Sequence, residues 1–134
     1  MKSEKYKKWN PIKDIPDTLV LFGLHDNYEG FRILLRERKS SGVMRIFFNS
    51  FFAYRNTDRN YLSRTMLEGK KFVKWPLFTV KNSMFLQWFH EENPDKQFNE
   101  KPIHYAIITP NNCIDVISNS LPKVEWLCEY NDEE

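Results

Sequence analysis

The chain is poor in glycine and cysteine, with 4 and 2 among its 134 residues, and each scarcity removes a class of function. No glycine-rich phosphate loop and no GxGxxG stretch occurs, which argues against a dinucleotide cradle. The two cysteines, Cys113 and Cys128, cannot build a disulfide framework and lack the CxxC or Cys/His spacing of a zinc site. They read as two reduced thiols on or beside strands, with one Cys113–Cys128 bridge as the alternative. His25, His90 and His104 are scattered and HExxH is absent, so neither a metal nor a cofactor is expected. No apolar run approaches the roughly 18 to 20 residues of a membrane span. The N-terminus MKSEKYKKWN is basic but lacks the apolar stretch of a secretory signal. The expectation is a soluble, cytoplasmic protein.

Aromatic residues, by contrast, make up 16% of the chain, which predicts a ring-rich core. The length suits one domain over 1–134, able to bury roughly two-thirds of its unfolded surface. Residues 1–8 read as a mobile basic arm and 129–134 as a mobile acidic tail, with Trp9 and Ile12 anchoring the arm. The stretch Val43 to Asp58, VMRIFFNSFFAYRNTD, is the longest β-type run. Taken in steps of two, it places Met44, Ile46, Phe48, Ser50, Phe52 and Tyr54 on a core face and Arg45, Asn49 and Arg55 on the reverse. Phe31 to Arg38 alternates in the same way and predicts a hairpin with it. Thr18 to Leu24 is a short strand with Val20, Phe22 and Leu24 inward, a one-to-two-turn helix being the competing assignment.

Thr57 or Asp58 can cap a helix ending near Gly69, and a basic-aromatic connector, Lys70 to Pro76, follows. After a possible strand over Leu77 to Val80, Asn82 or Ser83 can cap a second helix that ends at Asn93-Pro94. Met84, Phe85, Trp88 and Phe89 form its buried side, and His90 sits in its last turn. Pro102 to Thr109 and Cys113 to Ser118 form a second hairpin, and Val124, Trp126 and Cys128 lie on a last strand. The expected fold class is α+β, an antiparallel sheet of about five or six strands with two packed helices.

The net charge of +2 conceals segregation: residues 31–74 hold 11 Lys and Arg against 3 Asp and Glu, and all seven arginines lie there. A basic segment interleaved with rings can serve nucleic acid, which makes a nucleic-acid-binding accessory protein one alternative. The only compact catalytic set is Cys113, His104 and Asp115, the basis of a second alternative, a small hydrolase. A structural His104 that bonds a neighbour competes with that assignment.

In their order, FFAYRNTD, IHYAIITPNNCIDVIS and PKVEWL resemble the small bacterial immunity proteins of polymorphic or contact-dependent toxin systems, over Trp9 to Leu127. In that family a strand ending in an aromatic-Arg-x-x-Asp sequence precedes a helix, and a late hairpin carries a His-Tyr and an Asp-Val pair. The resemblance implies a non-catalytic protein that binds and neutralises a cognate protein toxin. The Arg-rich centre departs from the acidic character common in nuclease-directed members, which argues against a nuclease partner or moves binding to the acidic remainder. Arg45, Arg55, Asp58, Arg59 and Tyr61 are the expected partner-binding residues, and oligomeric state is left open.

Overall fold

The computed structural model describes residues 3–39, 42–68 and 74–127. Across them run strands β1 (Lys5–Lys8), β2 (Leu19–Asn27), β3 (Gly30–Glu37), β4 (Val43–Phe48), β5 (Ala53–Asp58), β6 (Leu77–Lys81), β7 (Ile103–Ile108), β8 (Asn112–Ser118) and β9 (Lys123–Leu127). A 3-10 turn (Arg59–Tyr61), α1 (Ser63–Glu68) and α2 (Met84–Glu92) complete the described elements. One sheet has the order β1-β6-β7-β8-β5 and the other β2-β3-β4-β9, with every pairing antiparallel. The antiparallel α+β character is as expected. The single sheet of five or six strands is not: there are two sheets, of five and four strands.

The two sheets face each other across one core. Phe31, Ile33 and Leu35 stand opposite Phe48, Ile46 and Met44 in register. These six are buried against Leu77, Tyr105, Ile107, Ile114 and Val116 of the five-stranded sheet. A ring contact joins the layers, Phe48 to Tyr105 at 5.5 Å, and within its own sheet Phe48 meets Phe31 at 5.8 Å. Offset and edge-on pairs of this kind add about 0.5–1.5 kcal/mol each beyond area burial.

The run from Val43 to Asp58 is two strands rather than one. β4 ends at Phe48, the chain crosses between the layers, and β5 begins at Ala53 in the other sheet. The crossing breaks the two-residue phase. Phe51 and Tyr54 pack on the shared core, whereas Phe52 stacks on Phe89 at 5.2 Å, outside it. A register irregularity between Leu21 and Gly23 shifts β2 in the same manner. Leu19, Leu21 and Leu24 therefore face the core and Phe22 is exposed, which corrects the inward placement of Val20 and Phe22.

Lys5–Lys8, expected within a mobile arm, pairs with β6 as an edge strand. Beyond it Trp9, Ile12 and Ile15 pack on the core, and Trp9 meets Tyr105 at 4.9 Å. The helix expected from Asp58 onward is fragmented: Asp58 is the last residue of β5 and caps the 3-10 turn, accepting from the Asn60 N–H at 2.9 Å. The Gly69 stop, most of the basic-aromatic connector, Cys128 and the acidic tail lie outside the described residues. No helix among the described residues is long and apolar enough to cross a membrane.

Candidate functional site

The face of the five-stranded sheet turned away from the core carries a buried polar chain. Alternation along β7 and β8 puts Tyr105, Ile107, Ile114 and Val116 inward, which sends His104, Cys113 and Asp115 to the other face, where Phe85 of α2 packs on His104 and Tyr6 of β1 lies near Cys113 and Asp115. Asn82, in the left-handed conformation at φ 57°, turns the chain sharply from β6 into α2 and leaves Ser83 at the N-cap. Asparagine tolerates that conformation better than most residues. Ser83 Oγ accepts from the Leu86 N–H at 2.9 Å and lies 2.6 Å from His104 Nδ1. His104 Nε2 lies 2.6 Å from Asp115 Oδ1, and Arg55 Nε donates to Asp115 Oδ2 at 2.9 Å. An ionised carboxylate only accepts, so His104 Nε2 carries the proton toward Asp115, and in the neutral imidazole Nδ1 accepts from the Ser83 hydroxyl. Every link has a partner. The chain ties the start of α2 to β7, β8 and β5 in one stroke.

Serine, histidine and aspartate joined in this order are also the components of an acyl-transfer triad. Here the His104 side chain is 0% exposed. The Ser83 oxygen is occupied as the helix cap. The geometry performs a fastening role. Cys113 is in the same cluster, 3.8 Å from Asp115 Oδ2. Burial first, then the negative charge of Asp115, push its thiol pKa up, so it stays protonated at neutral pH rather than serving as a thiolate nucleophile. Of the expected hydrolase set, the structure joins His104 to Asp115 and sets Cys113 beside the carboxylate, without the Cys113–His104 contact that nucleophile activation needs. No group of three or more His, Cys, Asp or Glu side chains among the described residues is arranged to hold a metal.

The raised Cys113 pKa has a pH consequence. A thiol held protonated in the fold contributes stability that is complete below its unfolded value, about 8.5, and is lost as pH rises above it. The slope is up to about 1.4 kcal/mol per pH unit. Tyr6, whose pKa burial also raises, adds a second loss beginning near its unfolded value of about 10. Urea unfolding between pH 7.5 and 9.5 should therefore show a falling midpoint in the native chain and a flatter profile in Cys113→Ala.

Beside this buried chain, a cleft of about 450 Å³ opens between β5, α1 and α2, with Glu4, Arg55, Arg64, Met84, Phe85 and Trp88 among its walls. The Arg55 guanidinium lies 4.2 Å over the Phe85 ring, and its side chain is 48% exposed. Met84 and Trp88, expected on the buried side of α2, are each half-exposed at the cleft, while Phe85 and Phe89 carry the packing.

The five expected partner-binding residues do not form one patch. Arg45 lies on the opposite outer face of the sandwich, where it pairs with Glu125 of β9 at 3.1 Å and covers Phe47 at 5.4 Å. Glu125 also lies 3.8 Å from Lys123 Nζ. Arg55 lines the cleft. Asp58 is a cap, and Arg59 donates to the Thr109 and Pro110 carbonyls, latching the β7–β8 turn. Tyr61, 82% exposed, stands free of these structural duties.

From sequence alone Ser83 is legible only as a helix cap, and Arg64 only as one of the seven central arginines. Ser83 is 21 residues from His104, so no local spacing announces the pair. The available signal was the strand–Asn–Ser–helix order, which sets a hydroxyl at the rim of a sheet. Compared with known proteins, the chain matches no family model, no curated protein and no solved structure.

Proposed function

We propose that this chain is a non-catalytic protein-binding domain, a bacterial immunity protein that binds and neutralises a cognate toxin domain in the cytoplasm. The observation that carries the reading is the combination of a sealed polar chain with an open face directly over it. Arg55 and Arg64 stand there beside half-exposed Met84 and Trp88. Arginine, tryptophan and methionine are residue types that protein interfaces favour, and arginine and tryptophan dominate their binding energy. The order of FFAYRNTD, IHYAIITPNNCIDVIS and PKVEWL supports the same reading.

The nucleic-acid alternative is weaker because the fold divides the arginines between two outer faces instead of laying them along one track. The hydrolase alternative is weaker because its imidazole is enclosed and its thiol protonated.

Co-expression with the toxin domain encoded beside this chain should restore growth. Tyr61→Ala should reduce that protection without lowering the melting temperature, since its side chain is exposed, and Trp88→Ala should reduce it as well while also giving up a ring stacked on Phe85 at 5.7 Å. Full toxicity in the presence of well-expressed native chain would sink the proposal.

A further inference from the structure

The cleft between β5, α1 and α2 holds two arginines in different conditions. Arg55 is fixed in advance: Nε is committed to Asp115 at 2.9 Å and the plane rests on Phe85. Its two terminal amines make no hydrogen bond among the described residues, and the half-exposed side chain lines the cleft. Arg64, also exposed, has the Met84 sulfur at 3.7 Å as its contact and forms no ion pair among the described residues. Guanidinium groups in this state are suited to paired N–H···O bonds with a carboxylate, and a group already held in place loses little freedom on binding.

The molecule itself places a carboxylate here. Glu4, arriving from the residue before β1, lines the cleft, and its Oε2 accepts from the Met84 N–H at 2.8 Å. Asp115 beneath Arg55 and Glu4 at the rim balance the two guanidinium groups in formal charge, so what the cleft offers a ligand is the uncommitted N–H donors of Arg55 and Arg64. On the α2 side, Met84 and Trp88, one helical turn apart, offer apolar surface. Two cations accompanied by Glu4 are few for a phosphate backbone, whose binding grows with each charge neutralised. They suffice for one or two carboxylates.

We propose that this cleft seats an acidic segment of the partner protein, its carboxylates on Arg55 and Arg64 and an apolar side chain on Met84 and Trp88. The proposal rests on the protein-binding reading above and adds the chemistry of the partner and its place of contact.

The test is a titration of the full chain with a blocked DELDE peptide, followed by NMR at the Arg Nε–H and Trp indole resonances, with KKLKK and a single-stranded oligothymidylate run alongside. DELDE should shift Arg55, Arg64 and Trp88 to saturation. Arg64→Glu and Trp88→Ala should each weaken it by about tenfold or more, with the melting temperature of Arg64→Glu unchanged. Arg45→Glu, on the opposite face, should bind DELDE as the native chain does. No shift with DELDE, equal affinity in Arg64→Glu, or preferential binding of the oligothymidylate at these residues would overturn the assignment. Toxin neutralisation that survives Arg64→Glu and Trp88→Ala overturns this site and leaves the immunity reading standing. Failure of the native chain to bind the toxin overturns the reading itself, whatever DELDE does.

Discussion

Replacing Asp115 with alanine is expected to lower the unfolding free energy by about 3–5 kcal/mol, the range for removing one partner from a buried charged pair. Asp115 is 2% exposed and accepts from His104 on one oxygen and Arg55 on the other, with Cys113 beside both. Alanine would strand the His104 proton inside the fold, release Arg55 from its fixed pose over Phe85, and weaken the hold of Ser83 on the start of α2. The loss is a large share of the 5–15 kcal/mol that stabilises an ordinary domain. Burial acts to raise the Asp115 pKa. The hydrogen bonds from His104 and Arg55, together with the positive charge of Arg55, outweigh it and bring the carboxyl below its ordinary value. A depressed carboxylate pKa contributes stability that is present above the unfolded value of about 3.9 and lost as pH falls below it. Denaturant unfolding at pH 7 and at pH 3 should therefore show a larger gap between native chain and Asp115→Ala at pH 7. An unchanged gap would remove Asp115 from the centre of the network.

Phe48→Ala is the second large effect, at about 3–5 kcal/mol, typical of a buried phenylalanine truncated in a core that cannot collapse around the cavity. Phe48 is fully buried in β4 yet touches Phe31 in its own sheet and Tyr105 in the facing one. Its removal opens a void at the junction of the layers. Phe22→Ala is the matched control: at 55% exposure on β2 it should stay within about 0.5 kcal/mol of the native chain. Urea midpoints at unchanged slope report both values. Similar losses for the two would mean that the sheets do not share one core.

The two variants also mark where the sequence could be read. The alternation of Phe31, Ile33 and Leu35 with Met44, Ile46 and Phe48 announced the β3–β4 hairpin, and the Ser83 to Asn93 helix followed from its capping residues. The crossing at residues 49–52 was hidden because Asn49-Ser50-Phe51-Phe52 contains neither glycine nor proline and has aromatic residues where a turn is usually polar. Phe51 and Phe52 are both needed, one on each side of the five-stranded sheet. The irregularity at Gly23 was equally silent, since a one-residue slip leaves composition unchanged while reversing every face. At the site, Cys113 and Asp115 were visible as neighbours on one face. That α2 packs on His104 and brings in Ser83 as the fourth link depends on long-range packing. The central concentration of arginine was real in sequence. Because β4 and β5 lie in opposite layers, the fold carries Arg45 to one side and Arg55 to the other.

The proposed function requires this protein to act by occupying a partner, one molecule for one. The most direct test titrates the purified chain into the purified cognate toxin domain and follows residual toxin activity. The expected result is a linear fall to zero at one equivalent, with Arg64→Glu requiring a marked excess. Activity that persists at many equivalents of native chain, or that disappears with a small fraction of one equivalent, would contradict it.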